Sequence, residues 1–584
     1  MNEVWNLDRM YTGFDDPKYQ ADFVAFKEKI DAFVAFTKTL DGVEALEGLR
    51  TGIRLQEELE HVSDCLGSYP HLRAATNAND VEAISQSGRI MSIYSNMAGA
   101  GTVFRKWACS LPNLLELVAQ DEFLKDYEFF FKGMLDMQQF ALSPDGSRVS
   151  AKLRLSGGSA WSKLQGELTS TVPVSYRGGV TNLSAIRNLA YDADPQVRKN
   201  AYEAELACYE AIKVPVAHAL NAIKLETLST CQLCGYESPL AMTLKRSDME
   251  RATLDAMLEA MDDYSPKFWQ YLKAKAKALG HENGLPWYDL FAPMGKFSSS
   301  FTTEDAKNFL LEQFSTFDQD LTDMVRTAFD DAWIDFYPHD GKRGGAFCSS
   351  IHAIGESRIL TNFDGSFSDV VTLAHELGHA FHNRCIHDHR PLNLGYSMPV
   401  AETASTFNEC VVMNAAIAAA QNKEEKIALI ESQLQDATQI ICDIYSRFRF
   451  EAAVFANREE KFMNADALCQ LMLDAQKKSY GDGLDHNCLH PYMWVCKSHY
   501  YGPTFYNFPY AFGGLFARGL YAQYEKEGAA FVPKYKKLLH TTTVATAEDT
   551  AKVAGIDLTD KAFWCAALQT IADQIDMLCE LLEA

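Results

Sequence analysis

Apolar residues recur at steps of three and four positions through most of this chain of 584 residues, which is the spacing of amphipathic α-helices. The first such stretch starts at Pro17, where Asp16 can cap the helix, and its apolar stripe runs from Phe23 to Phe33. The same spacing predicts helices within residues 45–140, 196–230, 248–280, 303–330, 400–450 and 558–582. The pattern therefore predicts a mainly α fold.

Two stretches depart from the helical spacing. Residues 163–181 show Thr and Val alternation and contain a Gly-Gly turn, which predicts a short antiparallel β insertion. Residues 346–353 and 357–363 predict two extended runs directly before another apolar helix. We therefore expect a small β-sheet beside that helix.

The length of the chain and a second start of helix predict its organisation. A chain of 584 residues exceeds the size of a typical single core, so we expect two or more packed lobes. Helix restarts after the β insertion at Asp194 and Pro195. We therefore predict a helical N-terminal domain over residues 1–195 and a second domain over residues 196–584.

Composition narrows the classes of partner and compartment. The 54 basic residues against 78 acidic ones give a net charge of -24, which argues against nucleic acid or an anionic membrane surface as a partner. The first residues lack the pattern of a secretory signal, and no apolar run reaches the length of about 18 residues that a membrane span needs. The 14 cysteines lie mostly within helical patterns, and only Cys231 and Cys234 have the spacing of a metal or redox pair, without a second pair nearby. We expect a cytoplasmic protein.

The strongest chemical signal is the pentapeptide "HELGH" at residues 375–379, inside the apolar run "VVTLAHELGHAFH". A helix places His375 and His379 one turn apart on one face, where two imidazoles can share a metal ion. The alternative is a pair of core histidines bonded to the backbone. Because an unpaired buried polar group costs about 1–3 kcal/mol, both imidazoles need partners, and zinc would satisfy both at once.

Three residues compete for the position of a third ligand. His382 lies one turn further along the same helix, and three ligands on consecutive turns of one helix can hardly converge on one ion. His387 follows in a segment without a glycine at the turn where the chain would have to fold back. Glu402 follows Pro399 at the start of another predicted helix, which can pack across the first. We favour Glu402.

Two histidines and one carboxylate leave a fourth position for water, which is typical of a catalytic zinc site. The metal lowers the pKa of bound water towards about 7, and Glu376 would be the general base that takes its proton. Glu409 lies on the same predicted helical face as Glu402. It either orients a metal ligand or is a solvated or structural carboxylate.

Hydrolysis of an amide also requires hydrogen-bond donors for the oxyanion that forms. His499, Tyr506 and Tyr510 offer such donors in the segment "CKSHYYGPTFYNFPYAFGG", and we expect the two tyrosines one helical turn apart. Aromatic clusters are more often part of a core, so the functional interpretation depends on the metal motif.

Six sequence segments spread over nearly the whole chain form a recognisable set. This set resembles the oligoendopeptidase F and thimet oligopeptidase family of zinc peptidases, and most closely its oligoendopeptidase F branch. The segments are "WNLDRMYTGFDDPKYQAD", "YDLFAP", "YPHDGKRGGAFCSS", "TLAHELGHAFH", "AETASTFNE" and "HYYGPTFYNFPYAFG".

The resemblance implies a fold, a cofactor and an activity. It implies a mainly α protein with two lobes around a deep channel, which admits short peptides and excludes folded proteins. It implies a catalytic metallopeptidase domain over residues 196–584 and one Zn²⁺ per chain, with His375, His379 and Glu402 as ligands and Glu376 as base.

The resemblance also implies residues that contact the substrate. His499, Tyr506 and Tyr510 correspond to contacts of the scissile carbonyl and the oxyanion. The strand in "GGAFCSS" corresponds to an edge against which the backbone of a peptide can pair. The substrate-binding residues implied there are Gly345, Ala346 and Phe347.

The sequence leaves three functions open. The first is a zinc-dependent endopeptidase that cleaves short oligopeptides internally. The second is a catalytically inactive peptide-binding protein of the same fold, against which the intact set of ligands and base argues. The third is a zinc hydrolase that acts on another amide. The sequence gives neither the oligomeric state nor the cleavage preference.

Overall fold

The computed structural model describes residues 3–296 and 300–583. The predicted fold class is confirmed, because helices dominate and the strands form only small sheets. The first predicted helix begins where expected, with the Asp16 carboxylate accepting a hydrogen bond from the backbone N–H of Lys18 at 2.8 Å. Its bounds and those of the helices that follow are α1 Pro17–Thr37, α2 Ala45–Thr76, α3 Val81–Tyr94, α4 Met97–Ser110, α5 Leu114–Gln120, α6 Glu122–Lys125, α7 Glu128–Gln138, α8 Pro144–Ser156 and α9 Gly158–Thr171.

The β insertion is shorter than predicted. Strands β1 (Val174–Tyr176) and β2 (Gly179–Thr181) form an antiparallel hairpin, but the residues from 163 to 171 belong to helix α9. Trp161, Gln165 and Leu168 recur at helical spacing, and this face of α9 packs into the interior, where the Gln165 side chain donates to the Val495 carbonyl at 2.9 Å. Burial of that face outweighs the β propensity of the Thr-rich sequence.

The second half of the chain contains the longer helices of the core and a small sheet. Asp194 caps the helix that begins at Pro195, as predicted. The division into domains at residue 195 stays a prediction. The elements are α10 Leu183–Asn188, α11 Pro195–Tyr209, α12 Lys213–Cys234, α13 Pro239–Arg246, α14 Arg251–Ala278, α15 Thr303–Ser315, α16 Gln319–Asp330, β3 Ile334–Asp335, β4 Phe347–Ile351, β5 Glu356–Leu360, α17 Phe367–Cys385, α18 Met398–Ala401, α19 Thr403–Ala419, α20 Lys423–Thr438, a π-helix Gln439–Asp443, α21 Ile444–Arg458, α22 Ala465–Tyr480, α23 Met493–Cys496, α24 Phe508–Glu527, α25 Val532–Thr541, α26 Ala547–Lys552 and α27 Lys561–Glu583.

The small sheet lies beside α17, as the two extended runs predicted. Its strand order is β3-β5-β4, with β3 parallel and β4 antiparallel to β5. Among the described strands, β4 pairs with β5 alone, from Phe347 opposite Leu360 to Ile351 opposite Glu356. The other side of β4 is therefore an edge, and this strand packs against α17.

Helix α17 lies in the main hydrophobic core. Val370, Leu373 and Leu377 are fully buried, and the helix packs along α19. The backbones approach closely at Gly378, where an added methyl carbon would lie 2.5 Å from the Ala404 carbonyl oxygen. This close approach brings the start of α19 to the face of α17 that carries the paired histidines.

Two further expectations concern the membrane and the thiols. None of the described helices combines the length and the apolar content needed to cross a bilayer. All 14 cysteines lie in the described ranges and are free thiols. Cys231, the first cysteine of the pair with metal or redox spacing, is buried at the end of α12 and contacts Met242. This contact fits a packing role for Cys231.

Candidate metal centre

Three side chains from neighbouring helices converge on one point. His375 and His379 stand one turn apart on α17, and Glu402 occupies the junction between α18 and α19. The Nε2 atoms of the two histidines are 3.2 Å apart, and Glu402 Oε2 lies 3.3 Å from His375 Nε2 and 3.4 Å from His379 Nε2. These three atoms thus form a nearly equilateral triangle.

This triangle fits a tetrahedral zinc ion. Ligand atoms about 2.0–2.1 Å from a tetrahedral ion lie about 3.3–3.4 Å from one another, which is the spacing found here. Side-chain exposures of 26% for His375 and 31% for Glu402 leave the group open to solvent on one side. The residues therefore suit an ion with an open fourth position.

Glu409 determines which nitrogen of His375 faces that point. Because a carboxylate only accepts hydrogen bonds, His375 Nδ1 must donate to Glu409 Oε1, at a distance of 2.5 Å. The Nε2 lone pair then points into the triangle. Sequence reasoning left Glu409 undecided between orienting a ligand and being solvated, and the structure places it in contact with the imidazole.

Sequence reasoning missed Ser405 altogether. Its hydroxyl donates to Glu402 Oε2 at 2.7 Å. The signal was present in "AETASTFNE", where Ser405 stands one helical turn after Glu402. A fixed carboxylate loses less side-chain freedom when an ion binds.

The charges of the group favour a cation. Burial lowers the pKa of His375, but Glu402 and Glu409 outweigh burial and raise that pKa to about 10. Burial raises the pKa of Glu402, and its contacts with His375 and His379 bring it well below its usual range. The two carboxylates therefore favour a positive charge on the imidazole between them.

Glu376 follows the ligand His375 on α17 and is buried. Burial raises its pKa above the usual value, against the opposing charges of His375 and His379. Burial raises the pKa of the Cys348 thiol, and the charge of Glu376 raises it further. Strand β4, which carries Cys348, therefore lies close to Glu376. A carboxyl group in this setting holds a proton more readily than one in water.

The two histidines that competed for the third ligand lie elsewhere. His382 is fully buried, bonds to Thr542 Oγ1 at 2.8 Å and stacks on Tyr396 with ring centroids 4.2 Å apart. Burial lowers its pKa to about 3. His387 lies against Gly355 in the turn between β4 and β5. The structure thus brings Glu402 to the histidine pair, and not His382 or His387.

A second cluster of Asp388, His389 and His540 has less suitable geometry. His389 Nε2 lies 3.3 Å from His540 Nδ1 and 3.0 Å from His540 Nε2, with the ring planes 80° apart and the centroids separated by 4.1 Å. Nearly equal distances to both nitrogens place His389 Nε2 over the face of the His540 ring. The lone pairs of the two imidazoles therefore do not converge on one ion.

His499, Tyr506 and Tyr510 form one cluster of rings. The His499 ring centroid lies 5.7 Å from that of Tyr506 and 6.0 Å from that of Tyr510, and the tyrosines are 5.5 Å apart. The cluster adjoins the metal group, since a methyl carbon at Gly513 on the same helix as Tyr510 would lie 3.0 Å from Glu402 Cβ. Helix α24, which carries Tyr510, therefore packs against the segment that carries Glu402.

The predicted helical spacing of the two tyrosines is wrong. Helix α24 begins at Phe508, with Asn507 as its cap, so Tyr510 is in the first turn and Tyr506 precedes the helix. The backbone N–H of Asn507 donates to the Phe505 carbonyl at 2.7 Å, which closes a tight turn around Tyr506. Phe505 has a φ of 51°, in the left-handed region.

The protonation states of this cluster suit donors. Burial lowers the pKa of His499, as do the charges of Arg447 and Lys497. Burial raises the pKa of Tyr510 well above its usual value, and the hydrogen bond with Tyr506 adds to this effect. A neutral imidazole at His499 and a protonated phenol at Tyr510 are therefore present near neutral pH.

The predicted substrate-binding residues lie at the start of β4. Gly345 is exposed, with a φ of 81°, and its carbonyl accepts from the Asn362 side chain at 2.7 Å. Ala346 is half-buried, and the Phe347 ring packs near Trp5, with centroids 6.3 Å apart. The segment leads into the edge strand that borders Glu376.

Replacement of Glu409 by Gln is expected to weaken zinc binding by about 10- to 100-fold, because the neutral amide supports the Nδ1–H of His375 less strongly. Competition with a chromophoric chelator would measure the affinity. Glu460→Gln, at an exposed carboxylate, is the control and should leave the zinc affinity unchanged. Equal affinities for Glu409→Gln and the parent protein would show that Glu409 does not support the ligand.

The amino-acid sequence matches peptidase family M3 over residues 188–570. Two curated relatives cover nearly the whole chain at low identity. Oligopeptidase PepF of Bacillus subtilis is 23% identical, over 99% of this chain and 87% of its own length. An oligoendopeptidase F homolog of Borreliella burgdorferi is 24% identical, over 96% of this chain and 95% of its own length.

Solved structures share the fold. A crystal structure of a Chlamydophila abortus protein has a TM-score of 0.84 at 20% identity, and covers 99% of this chain and 98% of its own. Oligoendopeptidase F from Enterococcus faecium has a TM-score of 0.70 at 16% identity, and covers 97% and 99% of the two chains. The similarity extends over both predicted domains.

Proposed function

Because the chain belongs to peptidase family M3, we propose that it is a zinc-dependent endopeptidase that hydrolyses internal peptide bonds of short oligopeptides. The spacing of 3.2–3.4 Å between the ligand atoms of His375, His379 and Glu402 carries this proposal. The names of the two relatives that align over nearly the whole chain support oligopeptides as the class of substrate. Free thiols favour the cytoplasm as its compartment.

The proposed chemistry assigns a role to each residue. Zinc, when bound, would activate water and polarise the scissile carbonyl. Glu376 then accepts a proton on its carboxylate and passes it to the leaving amine. His499, Tyr506 and Tyr510 donate hydrogen bonds to the carbonyl oxygen as it becomes negative. Glu409 holds His375 in the tautomer that leaves Nε2 free.

We also propose that the edge strand β4 aligns the substrate. Its unpaired side offers backbone donors and acceptors to an extended peptide, and its position next to Glu376 would bring the scissile bond to the base. Gly345 and Ala346 precede this edge strand and Phe347 begins it. Pairing with the backbone rather than with side chains would accept varied sequences.

Metal removal tests the proposed function. Ortho-phenanthroline should abolish cleavage of an internally quenched peptide, whereas its non-chelating meta isomer should not. Added Zn²⁺ should restore the rate, and elemental analysis should give one zinc per chain. Mass spectrometry of the products should locate internal cleavage. Cleavage that survives the chelator, or release of single terminal residues only, would contradict the proposal.

A catalytically inactive peptide-binding protein of the same fold is the alternative. The presence of His375, Glu376, His379 and Glu402 argues against it, since loss of any one would remove a metal ligand or the base. Such a protein would bind the quenched peptide without cleaving it. A panel with non-peptide amides would separate a peptidase from another zinc hydrolase.

A further inference from the structure

The turn that carries Tyr506 is bonded on both sides to one buried carboxylate. Glu451 on α21 accepts the Phe505 backbone N–H on Oε1 at 3.1 Å and the Asn507 side-chain amide on Oε2 at 2.8 Å. Asn507 in turn caps α24, because its Oδ1 accepts the Phe508 N–H at 2.7 Å. Glu451 thus links the residue before Tyr506 and the residue after it.

The charge of Glu451 is balanced within the core. Lys224 on α12 donates to Glu451 Oε1 at 2.6 Å, and the two residues are 1% and 0% exposed. A buried pair of this kind contributes little net stability, but loss of one partner leaves an uncompensated charge. The pair therefore holds the carboxylate in a fixed position inside the protein, where it accepts the hydrogen bonds of the turn.

The turn itself needs such an anchor. Phe505 adopts a left-handed backbone conformation, which is costly for a bulky side chain. Its ring packs against Phe448 and Phe455 of α21, with centroid distances of 5.3 and 5.5 Å. These contacts and the two hydrogen bonds hold the backbone on both sides of Tyr506, so Glu451 contributes to the direction in which that side chain leaves the turn.

We propose that Glu451, paired with Lys224, is a positioning residue that aims the Tyr506 hydroxyl at the scissile carbonyl. Glu451 touches neither substrate nor metal ligand, and it acts only through the turn. This inference rests on the proposed function of Tyr506. It assigns a role in the reaction to a carboxylate whose place in the sequence carries no recognisable motif.

A double-mutant cycle tests the inference. Tyr506→Phe should lower kcat for the quenched peptide by about 10²-fold or more, as expected for loss of one donor to the transition state. Glu451→Gln should lower kcat by about 10²-fold with little change in KM, because the donor moves away from its target. In the Tyr506→Phe protein, Glu451→Gln should change kcat by less than about 3-fold, since the two act as one unit.

A second readout follows the turn directly. Hydrogen exchange, measured on the zinc-loaded protein without substrate, should be faster in the segment 504–508 after Glu451→Gln. Glu431→Gln is the matched control, because Glu431 also pairs with a buried lysine, Lys275, at 2.5 Å and lies outside the turn. The Glu431→Gln variant should lower the melting temperature about as much as Glu451→Gln does, but it should change neither hydrogen exchange in the turn nor kcat.

The outcomes separate this inference from the proposed function. Additive losses in the double mutant, or an unchanged kcat in Glu451→Gln, would overturn the positioning role while leaving a zinc peptidase. An unchanged kcat in Tyr506→Phe would overturn it together with the role of Tyr506. A parent protein that cleaves no peptide would refute the proposed function, and the positioning role with it.

Discussion

Replacement of Glu402 by Ala is expected to remove zinc from the purified protein and to lower the cleavage rate by more than about 10³-fold. Two histidines on one helix leave two positions of a tetrahedron empty, and the carboxylate is also the charge that balances the cation. Glu402 is exposed to solvent over about a third of its side chain, so its loss should leave the core intact. Elemental analysis and kcat would be measured on the same preparation.

The second histidine cluster supplies the control for this prediction. Asp388→Ala alters the group of Asp388, His389 and His540, whose imidazoles do not face one common point. This variant should keep one zinc per chain and the parent kcat. If Asp388→Ala loses the zinc while Glu402→Ala keeps it, the assignment of the metal centre is wrong.

The parts of the site that the sequence predicts are those that local spacing determines. His375 and His379 share a face because they stand four residues apart in a helix, and Ser366 with Asp369 forms a capping box at its start. The prediction of Glu402 as the third ligand needed more than local spacing. Its place at the start of the next helix makes it available, but only the close packing at Gly378 brings it to the histidines.

The position of Tyr506 shows why the rest of the site could not be predicted from the sequence. Its spacing from Tyr510 favours one helical turn, yet the helix starts after it. The reason lies in Glu451 and in the aromatic rings of α21, which are far away in sequence and hold an unfavourable backbone conformation. Tertiary contacts override local preference in the same way at α9, where a buried face keeps a Thr-rich segment helical.

Replacement of Glu376 by Gln is expected to lower kcat by about 10²- to 10⁴-fold while the protein keeps its zinc. The amide has nearly the same shape as the carboxylate, but it cannot accept the proton of an attacking water. Glu376 is 6% exposed and follows the ligand His375 directly, so a shorter or larger residue would also disturb the metal group. An isosteric change therefore separates proton transfer from metal binding.

The measurement needs kcat, zinc content and melting temperature together. A carboxylic acid that burial makes harder to ionise becomes a neutral amide at little cost in stability, so the melting temperature should fall little or not at all. Glu548→Gln, at a buried carboxylate that bonds to Thr253, is the control and should leave kcat near that of the parent. Full activity of Glu376→Gln with zinc bound would mean that another group takes the proton, and His499, neutral because of its burial, would be the next residue to replace.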